Sequence, residues 1–240
     1  MKVTRQLTVV LALVVFCCAA SADMHYASLM SSDGTFELKW GYRDDTVQML
    51  YFMMKCKNTG WCGVGFSSMG NGTGMKDYDI AIGGYEIRTL SGYLGDYWST
   101  TTETPDIDAV HNLDLECSSE INGYTMVHFK KPAITSENMR DVQFTPNTTV
   151  WVMYAMQEDD IAIDDTSFMV HSKKGRWQQQ YNLIAMALAA DGDAEGPDTV
   201  FGDCGRVGGG SSSASTTIFS GTCAAASFLF YLIAHFVLSS

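Results

Sequence analysis

Along the middle of the chain, apolar and polar residues alternate with a period of two, the spacing of a strand with one buried face. Thr35–Trp40 (TFELKW) sets Phe36, Leu38 and Trp40 on one side and Glu37 and Lys39 on the other. Val47–Met54 (VQMLYFMM) alternates less cleanly, as a strand covered on both sides does. Trp61–Ser67, Tyr78–Gly83 and Glu86–Leu90 follow between glycine-rich links. Tyr124–Lys130 and Thr149–Met156 come later, rich in the aromatic and branched residues that favour a pleated surface. Ile184–Ala190 (IAMALAA), stopped by Asp191 and Gly192, is the best short helix candidate. Many short strands without strand–helix alternation predict an all-β fold, an antiparallel immunoglobulin-like sandwich spanning Asp33–Leu183. Residues 184–222 read as a tether and polar spacer, with Asp191–Pro197 and Gly208–Thr217 stalk-like in composition.

The two ends follow different rules. Lys2 and Arg5 precede an apolar run, Leu7–Cys18, and then Ala20-Ser21-Ala22, a small-x-small cleavage pattern. Residues 1–22 are therefore expected to be a signal peptide. At the other end, the small and polar residues Gly208–Thr222 lead into the uncharged apolar stretch Cys223–Leu238, two serines short of the last residue. Small residues, a polar spacer and a greasy tail are the order of a signal exchanged for a glycosylphosphatidylinositol (GPI) lipid, here at Ser211, Ser212 or Ser213. A single C-terminal membrane helix is the alternative. The lipid reading predicts a protein held to the outer leaflet, on the extracellular side of the plasma membrane.

Of seven cysteines, the leader removes two and the tail a third, leaving Cys56, Cys62, Cys117 and Cys204. An even number in an oxidising compartment predicts two disulfides. Cys56 and Cys62 flank the turn-like Asn58-Thr59-Gly60 and would face each other if their strands form a hairpin; Cys117 would then tie to Cys204. Asn71 and Asn147 begin glycosylation acceptor triplets and should lie on the surface. A formal charge of -12, with no basic stripe, argues against nucleic acid as a partner.

Fourteen methionines is a high count, and most read as adaptable core filling. Met69 and Met75 differ, because both lie in the glycine-rich loop SSMGNGTGMKD after a strand pattern. His171 precedes Lys173, Lys174 and Arg176, a basic turn in an acidic chain. A thioether and an imidazole can together take both axial positions of haem iron, and the cations can pair with its propionates. No Cys-x-x-Cys-His attachment motif is present, so such a group would be held without thioether links, as haem b.

The segments Gly60–Ser67 (GWCGVGFS), Met75–Gly83 (MKDYDIAIG) and Val150–Met156 (VWVMYAM), with His171–Gly175, resemble the DOMON domain family over roughly Asp33–Leu183. The resemblance implies a β-sandwich and two functional branches. In the cytochrome branch a methionine ahead of the aspartate of the second block and a histidine before the closing strands are the axial ligands. Those roles fall on Met75 and His171, with Met69 the rival for sulfur. Electron transfer with a separate membrane or extracellular redox protein follows, since the chain carries no fused cytochrome partner. The other branch implies a non-enzymatic module for recognition or adhesion, possessing a sugar- or catechol-like ligand and no haem. No nucleophile motif, histidine–carboxylate metal cluster or phosphate loop stands out, which places an autonomous enzyme last.

Overall fold

The computed structural model describes residues 25–44, 47–69, 74–136, 139–160 and 170–190. The alternating segments become strands β1 (His25–Met30), β2 (Phe36–Arg43), β3 (Met49–Cys56), β4 (Cys62–Ser67), β5 (Tyr78–Glu86) and β6 (Ser91–Ser99). They continue as β7 (Asp106–Ile107), β8 (Asp114–Ile121), β9 (Tyr124–Pro132), β10 (Trp151–Met156) and β11 (Lys173–Arg176), followed by helix α1 (Leu183–Ala189). Strands β1-β2-β3-β9-β8 form one five-stranded sheet, and β11-β10-β4-β5-β6-β7 form a six-stranded one. Every pairing is antiparallel, as the alternation predicts.

Between the sheets, Phe36, Leu38 and Trp40 of β2 and Val127 and Phe129 of β9 meet Val64 and Phe66 of β4 and Val152 and Tyr154 of β10. Phe52 stacks on Phe129 at 5.1 Å, and Phe144 meets Phe66 edge-on at 5.4 Å. Each such ring, fully buried, contributes about 1.5–3 kcal/mol. Asn182 caps α1 by accepting from the Ala185 amide, and the helix buries Leu183, Ile184 and Ala187. The Trp40 indole N–H donates to the Leu183 carbonyl at 2.8 Å, fastening the helix onto β2. Ordered elements thus flank the expected span of 33–183 on both sides, with β1 before it and α1 after it.

Two expectations differ from the structure in instructive ways. Cys56 and Cys62 do form a disulfide, with Cα atoms 5.9 Å apart, but not across a hairpin. β3 pairs with β2 and β9, whereas β4 pairs with β10 and β5, so the bond joins the two sheets. Cys117 is also disulfide-bonded, and its expected partner Cys204 lies outside the described residues. Glu86–Leu90, expected as a strand, is instead the end of β5 and a turn in which Leu90 adopts φ 52°. The strand itself comes next, at Ser91–Ser99, where serines and glycines hide the alternation of Tyr93 and Tyr97 against Asp96 and Trp98.

One inward position of β9 is charged. Lys131, 1% exposed, reaches from the five-stranded sheet to Asp79 of β5 at 2.9 Å and to Asp141 at 2.6 Å. Carboxylate oxygens of Asp79, Asp96 and Asp141 lie within 4.8 Å of one another, so one ammonium faces three buried acids. The Val142 amide donates to Asp79, and the Asn112 amide to Asp96, at 2.9 and 3.0 Å. Among the described residues no helix is long and apolar enough to cross a membrane. The expected signal peptide, Asn71, the serines expected to carry a lipid (Ser211, Ser212 and Ser213) and the apolar C-terminal stretch lie outside the described residues. Asn147 is exposed.

Candidate functional site

The outer face of the six-stranded sheet, turned away from the core, is itself apolar. Period-two alternation sends Val64 and Phe66 inward and leaves Gly63 and Gly65 facing out. Around these glycines stand Trp61, Ile80 and Ile82, all buried, with Met153 and Ala155 of β10 packed beside them. A Cβ on Gly65 would meet the Met153 Cε at 2.8 Å, so glycine there keeps a flat floor. Above that floor lies a cavity of about 960 Å³, at the upper end of the range for small-molecule and cofactor pockets.

Met75 and His171 both line this cavity. Their places along the strands follow from register. Met75 precedes β5, whose first residue Tyr78 pairs with Ser99, at the end of the sheet where Ser67 meets Trp151. His171 precedes β11, whose Lys173 pairs with Met156, at the end where Cys62 meets Gly83. β4 runs from one end to the other, and six residues at about 3.3 Å each span roughly 17 Å. The thioether and the imidazole therefore enter from opposite ends.

The basic residues divide by the same alternation. Lys174 and Arg176 pair with Ala155 and Met153, so they share the outer face and line the cavity. Lys173 pairs with Met156, points the other way and forms an ion pair with Asp33. That contact, followed by hydrogen bonds from Ser31 and Thr35, holds the Asp33 carboxyl well below the usual carboxylate range. Glu103 also lines the cavity, where among the described residues Lys174 and Arg176 outnumber this one acid. Met69 is elsewhere: it is 65% exposed and lines a separate cavity of about 290 Å³ with Met139 and Trp98.

The set of donors and the shape of the floor fit a flat macrocycle ligated on both faces. A soft sulfur donor and an imidazole both line the cavity, its floor is apolar, and Lys174 and Arg176 on its wall can pair with carboxylates such as propionates. Some of the lining was not foreseen, notably the Thr102–Pro105 segment between β6 and β7 and Met30 at the end of β1. The glycine alternation of WCGVGFS carries a readable sign of the floor: two missing side chains on one face of a strand leave a space there.

A family model for the DOMON domain matches residues 32–157, over half of the 240-residue chain. A search of curated proteins gives no match. Among solved structures, the chain is similar to the cytochrome b domain of pyranose dehydrogenase from Coprinopsis cinerea, with TM-score 0.47 and 15% identity over 69% of this chain and 91% of that one. It is also similar to the cytochrome domain of cellobiose dehydrogenase from Myriococcum thermophilum, with TM-score 0.48 and 15% identity over 73% of this chain and 86% of that one.

Proposed function

The chain belongs to the DOMON domain family, and from that premise we propose that its outer-face cavity holds a b-type haem for electron transfer. One observation carries the reading: Met75 and His171, from segments nearly a hundred residues apart, line one apolar cavity from its two ends. Bound haem would supply a one-electron iron couple, and ligation by methionine favours its reduced form. The chain's own residues do the rest. Met75 and His171 would hold the iron through sulfur and imidazole, and with both donors committed to the metal the proposed role is electron transfer. Lys174 and Arg176 would pair with the propionates through charge-assisted hydrogen bonds. Trp61, Ile80, Ile82 and Met153 exclude water from the floor.

The proposed setting is the extracellular face of the plasma membrane, reached through the leader and kept by a GPI lipid in the Ser211–Ser213 stretch. Confinement to a membrane raises the effective concentration of a redox partner in the same membrane. The test is a reduced-minus-oxidised visible spectrum of the protein after haem loading. A low-spin reduced spectrum is expected. Met75→Ala and His171→Ala should each abolish it, and Met69→Ala should leave it intact. A protein that takes up no haem, or takes it up without a sharp low-spin spectrum, would falsify the reading and leave the cavity to a different planar ligand.

A further inference from the structure

Met75 sits in a turn whose backbone is held in an uncommon way. Gly74 has φ 74° and Asp77 has φ 62°, so two left-handed residues bracket Met75 and Lys76. Glycine adopts that region freely, but aspartate does so at a cost. Strained backbone of this kind persists where its surroundings over-determine it, and it gathers at ligand clamps.

The over-determination comes from one residue on the neighbouring strand. Ser99, the last residue of β6, is 1% exposed. Its hydroxyl donates to the Met75 carbonyl. The same oxygen accepts from the Tyr78 amide at 3.1 Å. Its backbone carbonyl accepts from the Asp77 amide at 2.7 Å. The Met75 carbonyl and the Tyr78 amide are the first and fourth residues' groups, the pair that closes an ordinary β-turn. Here a side-chain oxygen from another strand stands between them. Three backbone groups of a four-residue turn are thus pinned by a single serine. The pin is buried, where a hydrogen bond is costly to lose.

We propose that Ser99 is the positioning residue for Met75: by bridging the turn it fixes where the methionine sulfur enters the cavity. The inference rests on the reading that this sulfur meets a ligand there. It makes a claim about the empty protein as well. Without the hydroxyl the turn loses its bridge, Asp77 has less to hold it in the left-handed region, and the sulfur wanders along the cavity wall.

The experiment compares wild type with Ser99→Ala and Ser99→Thr in two readouts. In the haem-free protein, hydrogen exchange of the Tyr78 amide, whose acceptor is the hydroxyl, should quicken about tenfold in Ser99→Ala, the worth of roughly one hydrogen bond, while that of Asp77, which keeps the backbone carbonyl, should change less. Amides in the middle of β5 should exchange as in wild type. In the haem-loaded protein, Ser99→Ala should lose the sulfur-ligated low-spin spectrum in part, with a lowered reduction potential, while Ser99→Thr, which keeps the hydroxyl, should restore both. Should Ser99→Ala fail to fold, Ser99→Cys fills a similar volume with a weak donor and is expected to behave as the alanine variant should. Unchanged exchange at Tyr78 in a folded hydroxyl-free variant overturns the proposal. If wild type takes up no haem, the proposed function fails, and the exchange readout still decides whether Ser99 holds the turn.

Discussion

At Lys131 the chain places a full positive charge between its sheets, and the acids around it do not balance it one for one. Asp79, Asp96 and Asp141 share the single ammonium. Burial, above all, raises the Asp79 carboxyl above its ordinary range and pushes Asp96 up to about 7. The folded state then keeps a proton on Asp96 that the unfolded chain, with an ordinary value of 3.8, has released. Stability from this group is fully present below pH 4 and is lost as pH rises toward 7. Asp96→Asn should therefore flatten the pH profile of thermal melting between pH 4 and 7. It should also stabilise the protein at pH 8, by at most about 4 kcal/mol. His128 acts in the opposite sense. Burial lowers it from 6.5 to about 4, so stability it confers above pH 6.5 is lost as pH falls through 4. Lys131→Met leaves the acids without their cation and should cost about 3–5 kcal/mol at pH 8, less at pH 5. Denaturant titrations at the two pH values check both the size and the difference. The expected strand Tyr124–Lys130 stops one residue short of Lys131, whose inward facing follows Val127 and Phe129 at a spacing of two once β9 runs to Pro132. Its partners were not legible in the sequence, because Asp79, Asp96 and Asp141 come from three separate stretches of chain.

At the scale of an element, β4 carries most of what the site needs. Its inward residues build the core, and its two outward glycines make the cavity floor. Gly65→Leu should fill the cavity while preserving the fold, because the atoms it meets are side-chain atoms of Met153 and Ile80 on the outer face, nearest the flexible Met153 Cε, and no backbone. Loss of ligand binding with an unchanged melting temperature is the expected pair of results. Gly60, just before β4, is a contrast. A Cβ there would run into the backbone at Glu158 and Asp159, 2.5 and 2.6 Å away, with nothing flexible to yield. Gly60→Ala should lower stability by about 1–3 kcal/mol, read by denaturant unfolding. The strands legible beforehand were those with clean alternation or dense aromatic content, such as β2 and β10. β6 and β8 were missed for one reason: buried serines, glycines and acids suit a sheet only when neighbouring strands satisfy them. The sheet-spanning disulfide was hidden likewise, since six residues of spacing suit a hairpin and a link between layers equally well.

For the molecule as a whole, the pairing of Met75 with His171 was legible through family resemblance and not through periodicity. Nothing in local composition links two loops so far apart. The structure adds the register that sets them at opposite ends of one face, and it separates Met69 and Lys173 from that face. The core between the sheets and the floor of the cavity outside them draw largely on different side chains, with Val64 and Tyr154 common to the core and the cavity lining. Most of the interior packs without help from the outer surface. On the proposed function, folding and loading would be separable events. The polypeptide would be made and matured empty and equipped later, and the filled share would track supply of the prosthetic group more than the stability of the protein.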